Sequence, residues 1–176
     1  MQTNNYEIKD IIKSVFKENN KSIKKRLVYD NSLYGGLSSK WIILALILLP
    51  FAMYASIFNP ISFNALGIAQ AIVFYIILLV FAMQIIIAVA YFNNKKVVNN
   101  CKVAWEHYFP TIDFKMLLSA GVTPYVDFKK YYELALKDDL ENDALASRLN
   151  QAFTQMEEEN SMLVEAMRRD QAKKIK

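Results

Sequence analysis

Apolar and polar positions follow three different rhythms along this chain, and each predicts a different kind of helix. Between Tyr6 and Phe16 the residues Ile8, Ile11, Ile12, Val15 and Phe16 recur at i, i+3, i+4, i+7 and i+8, while Lys9, Asp10, Lys13 and Lys17 take the other side. That spacing predicts a short amphipathic helix whose stripe has to be covered. A lipid headgroup layer or a protein helix would do so. The mixed charges and the absence of Trp favour protein, so this is the expected partner-binding helix.

The second rhythm has no polar phase at all. From Trp41 to Phe92 there is no Asp, Glu, Lys, Arg or His, although 22% of the chain is charged. Buried helices of soluble domains are rarely apolar for so long, whereas a hydrocarbon core about 30 Å thick asks for 18 or more such residues. Two spans are predicted, 41–58 and 66–92. The first reaches roughly 27 Å at 1.5 Å per residue and holds Pro50, which predicts a kink. The second reaches roughly 40 Å if wholly helical, so it has to tilt or protrude. Asn59, Pro60, Ser62 and Asn64 between them predict a tight turn and an antiparallel hairpin.

The third rhythm begins after Leu140, where a polar chain carries a narrow seam. Leu149, Met156 and Leu163 fall seven apart, with Leu145 and Ala152 at alternate positions, which predicts a long, partly heptad helix and a coiled-coil seam. Between the second and third segments, Val97, Val98, Cys101, Ala104, Trp105 and Tyr108 extend the second span as a helix to Pro110. A short helix is expected from Asp113 to Ser119. Another should open at Thr123-Pro124, with Tyr125, Phe128, Tyr132 and Leu136 as its apolar stripe.

Charge fixes the expected topology. Residues 1–40 hold eight Lys or Arg against four Asp or Glu, residues 93–176 hold thirteen of each, and the net charge is +4. Lys40 and the cluster Lys21, Lys24, Lys25 and Arg26 flank one end of the hairpin and Lys95 and Lys96 the other, while the connecting loop is uncharged. By the positive-inside rule both termini are cytoplasmic, and the basic cluster faces lipid headgroups rather than nucleic acid. About forty polar residues precede the first apolar run, so no cleavable leader is expected. Abundant Lys, Ile and Asn beside scarce Arg fit an AT-rich bacterial gene. The fold class is therefore an all-α, two-span protein of an inner membrane, with segments 1–40, 41–92 and 93–176.

Candidate chemistry is sparse. His107 is the sole histidine and Cys101 the sole cysteine; six residues apart on a helix, they cannot share a metal without other ligands, and no nucleophile–base grouping can be assembled around them. Neither cofactor nor small-molecule substrate is indicated. Gly35-Gly36 lacks a phosphate-loop sequence and reads as a turn. More informative are Gln70 and Gln84, fourteen apart and so on one side of the second span, with Gly67 and Ala71 offering a close-approach spacing, as Ala52 and Ser56 do in the first. Amides facing lipid are costly, so a packing or pore seam is expected.

In outline the arrangement resembles small inner-membrane subunits of bacterial secretion or conjugation machines. That resemblance implies a non-enzymatic scaffold or anchor bound to other membrane proteins, as a homo- or hetero-oligomer. It also resembles two-helix membrane effectors of bacterial defence, which would imply a self-assembling pore.

Overall fold

The computed structural model describes residues 6–140 and 142–174. The chain forms two compact units: Arg26–Val97, and the flanking segments up to Lys25 and from Val98 onward. The first is the two-helix unit and the second the aromatic-core unit.

In the two-helix unit, α2 runs Ser39–Ile57 and α3 begins at Pro60 and continues to Tyr108. Both are long and apolar enough to cross a membrane. Pro50 lies inside α2, which continues through it as a single helix. The connection is tighter than a free turn: the Asn59 carboxamide accepts from Ser62 N at 2.9 Å and donates to Ser56 O at 2.7 Å. Asn59 is thereby an N-cap followed by proline at the first helical position, and the residues read as loop open α3. The helix breaks at Gly67, where φ is 74° and ψ 166°, a conformation that the absence of Cβ permits.

In the aromatic-core unit, α1 (Ile8–Val15) ends where Phe16 turns extended. Here the all-α expectation is corrected. Phe16–Asn19 (β1) and Ser22–Lys25 (β2) pair as an antiparallel hairpin, with Asn20 and Lys21 both at positive φ in its two-residue turn. Phe16 thus belongs to a strand. It and Ile23 point inward, while Lys17 and Lys24 stand opposite one another on the outer face.

The remaining elements are α4 (Phe114–Leu118), α5 (Phe128–Lys137), α6 (Asn142–Glu159) and α7 (Ser161–Lys174). Asp113 caps α4 by accepting from Lys115 N at 3.0 Å. Helix α5 starts at Phe128 rather than Pro124; Thr123 and Pro124 are buried in the preceding turn. The predicted long C-terminal helix is two helices, because Asn160 interrupts it. Its amide donates to Met156 O at 2.9 Å and to Pro124 O at 3.3 Å.

Trp105, from the last turns of α3, is wholly buried at the centre. Its ring meets Phe109, Phe114, Phe128 and Phe153 at centroid distances of 4.3 to 6.5 Å, and Nε1 donates to Ile112 O at 2.9 Å. Burying rings of this size stabilises by about 1.5–3 kcal/mol each, and satisfying the indole N–H removes the main cost.

Candidate functional site

Helix α3 has two long faces with opposite surroundings. Ala71, Tyr75, Leu79, Ala82, Ile86 and Ala90 are buried or half-buried along one side. Tyr75 meets Tyr54 of α2 and Phe58, the residue that caps its C-terminus, edge-on at 6.0 and 5.8 Å, which identifies this as the side toward α2. The small residues Ala71 and Ala82 are its most covered members, as close helix approach requires.

Gln70 and Gln84 are both exposed, on the other side. At 100° per residue, Gln84 lies about 200° round from Ala82, so packing inside the hairpin does not cover it. Phe74, Ile77, Phe81, Ala88 and Tyr91 accompany the glutamines and are exposed too. The two amides have different surroundings. Gln70 folds toward the helix break, where a Cβ on Gly67 would lie 3.2 Å from its Oε1. Gln84 has no hydrogen-bond partner among the described residues. Gly67 serves the break rather than close packing, and Ala52 and Ser56 are exposed, with the Ser56 hydroxyl bonded back to Ala52 O.

At one end of this unit a polar clasp, not anticipated from sequence, ties residues 27–39 to α3. Asn94 Oδ1 accepts from Tyr29 N at 2.7 Å and its Nδ2 donates to Leu27 O, while Asn93 donates to Tyr29 O at 2.8 Å. Asp30 accepts from Ser32 N, Ser38 Oγ and Ser39 Oγ and pairs with Arg26 at 4.0 Å. Burial alone would raise the Asp30 pKa, but the hydrogen bonds from Ser32 and Ser39 and the charge of Arg26 hold it below its ordinary value. Gly36 is required at the turn, because a Cβ there would overlap the Asn31 side chain. The run Asn93-Asn94 between Phe92 and Lys95 was the available signal. Polar residues at the end of an apolar helix ordinarily mark only its exit.

No family model, curated protein or solved structure matches the chain.

The basic cluster is divided among different tasks. Lys21 Nζ donates to Lys137 O at 3.2 Å, Lys25 Nζ to Leu118 O, and Arg26 to Ser39. These groups hold the fold together, and of the four expected headgroup contacts Lys24 alone stands on the hairpin's outer face with Lys17.

The other two expected surfaces are covered by the chain itself. Ile8, Ile11, Ile12 and Val15 are buried, with α1 against α6. Leu145, Leu149, Ala152 and Met156 are buried on the inner face of α6, so the apparent coiled-coil seam is a core face; Leu163, beyond the Asn160 break, is half-buried. Cys101 is buried with its sulfur 3.1 Å from Ser14 Oγ, and His107 is exposed beside Tyr108. Among the described residues no three His, Cys, Asp or Glu side chains converge on a metal-sized site.

Glu133 does structural work across the unit. Its Oε1 accepts from Ile23 N at 2.8 Å and Ser22 Oγ at 3.0 Å, fastening β2 to α5, with Lys129 3.7 Å away. The bond from Ile23 N lowers its pKa most; desolvation opposes that, and Ser22 and Lys129 add to the lowering.

Proposed function

We propose that this chain is a non-enzymatic subunit of a multiprotein bacterial membrane assembly, of secretion or conjugation type, in which it acts as scaffold or anchor. In this reading α2 and α3 cross the inner membrane as a hairpin and the aromatic-core unit stands in the cytoplasm. The observation that carries the reading is the outer face of α3: exposed apolar residues with an unpartnered amide among them, on a helix long and apolar enough to span. A simple anchor needs no amide there. Positive charge at both hairpin ends and none in residues 58–64 supports cytoplasmic termini.

The same two glutamines on one side support a second reading, a self-assembling pore lined by that face. It predicts loss of membrane potential on induced expression, with loss prevented by Gln84→Leu. The subunit reading predicts an unchanged potential. Its direct test is extraction of the full chain from its native membrane in mild detergent, followed by light scattering on a sizing column. A particle well above the 20.3 kDa of one chain is expected. A lone monomer in every mild detergent would contradict it.

A further inference from the structure

The residues Ile77, Phe81, Gln84, Ala88 and Tyr91 are all exposed, and their spacing alternates between four and three. That is the a/d spacing of a helix that supercoils with another. Lipid tails could cover four of these five positions but not Gln84, which lies eight residues before Phe92. At 1.5 Å per residue this is roughly 12 Å along the helix from the end of the charge-free run, beyond the reach of its own side chain to water. Gln70 is not under the same constraint, since it lies beside the Gly67 break near the connection between the helices.

We propose that a second copy of this chain covers this face in parallel register, with the Gln84 amides of the two copies hydrogen-bonded to each other. The inference rests on the membrane-subunit reading and specifies its partner. A second copy has the same flanking charges and so the same topology, and it presents an identical amide at the same depth. An amide carries both donor and acceptor, so Gln84 is complementary to itself. A partner of different sequence would need its own polar group at that one level of an apolar helix. A single polar residue within an a/d seam also fixes register, which an apolar surface alone leaves free to slide. Ala88, one turn on, lets the backbones approach.

The test uses the full chain in native membranes, with p-benzoylphenylalanine replacing Ile77 and a second, differently tagged copy made in the same cells. Irradiation is expected to give a product of twice the chain mass carrying both tags. The same replacement at Ile76, a quarter turn away, should give far less. Gln84→Leu should lower the yield at Ile77 by about threefold to tenfold, the scale of an interhelical amide hydrogen bond in lipid. A product of another mass with a single tag overturns the second-copy inference and leaves the membrane-subunit reading standing. No product at Ile77 overturns the inference as well, and a chain that also extracts as a monomer overturns both. Undiminished product from Gln84→Leu overturns the inference, because the paired amides are what select a second copy in parallel register.

Discussion

Tyr132 and Tyr125 sit in the same aromatic core with opposite hydrogen-bond accounts. The Tyr132 hydroxyl is buried without a partner among the described residues, and burial together with the charges of Glu18 and Asp10 pushes its ionisation well above the ordinary range. The Tyr125 hydroxyl donates to Glu157 at 2.6 Å. Removing an unsatisfied buried group relieves a desolvation cost, while removing a satisfied one leaves its partner short. Tyr132→Phe is therefore expected to keep or raise the thermal midpoint, by about 1 kcal/mol of stability, and Tyr125→Phe to lower it. Melting of both purified variants checks this, and a marked loss in Tyr132→Phe would contradict it. Glu133 gives a pH dependence of definite sign. Its folded pKa is below its ordinary value of 4.5, so the stability it contributes is present above that value and lost as pH falls through the folded pKa. The protection of the Ile23 amide against hydrogen exchange, taken relative to an unfolded amide at the same pH, should fall on acidification below about pH 4.5 in the native chain. In Glu133→Gln that fall should be blunted, and identical protection profiles for the two would contradict the assignment. The two tyrosines could not be sorted from sequence, since both fall on one predicted helical stripe and the partner of Tyr125, Glu157, lies 32 residues away.

At the scale of elements, the parts readable from sequence are those whose period exceeds their noise. The stripes of α1 and α5 are such cases, as is the extension of α3 to Tyr108. The β-hairpin is not, because each strand has four residues and Phe16 fits both the helical spacing before it and the alternation after it. The end of α6 is hidden for another reason. It depends on Asn160 reaching the Pro124 carbonyl, a contact across 36 residues that no local pattern records. The heptad of α6 shows how one spacing serves two ends, since a core-facing helix and a coiled coil both place apolar residues three and four apart. The structure assigns it to the core. Leu149→Ala is then expected to cost about 2–5 kcal/mol without changing the association state, whereas Leu163→Ala should have a much smaller effect. Chemical denaturation with parallel sizing distinguishes them; dissociation caused by Leu149→Ala at unchanged stability would restore an intermolecular seam.

For the whole molecule, what the sequence displays most openly is that two helices are apolar enough to span, and what it conceals is their phase. In a run with no charged residue, apolar side chains occupy every side of α3, so hydrophobic periodicity cannot say which side meets α2. The structure supplies that through Tyr75, Ala71 and Ala82, and leaves Gln84 on the far side. The aromatic-core unit covers the stripe of α1 and the seam of α6 internally, which takes two of the three surfaces expected to need partners out of contention. The outer face of α3 remains, and its significance depends on the chain crossing a membrane twice. The direct measurement is labelling of single cysteines in a Cys101→Ser background by an impermeant maleimide, in intact cells and after lysis. Ile61→Cys, on the exposed first turn of α3 beside the connection, is expected to react in intact cells, and Lys130→Cys, on the surface of the aromatic-core unit, only after lysis. Equal protection of both positions, or reaction of Lys130→Cys in intact cells, would contradict the two-span hairpin with cytoplasmic ends.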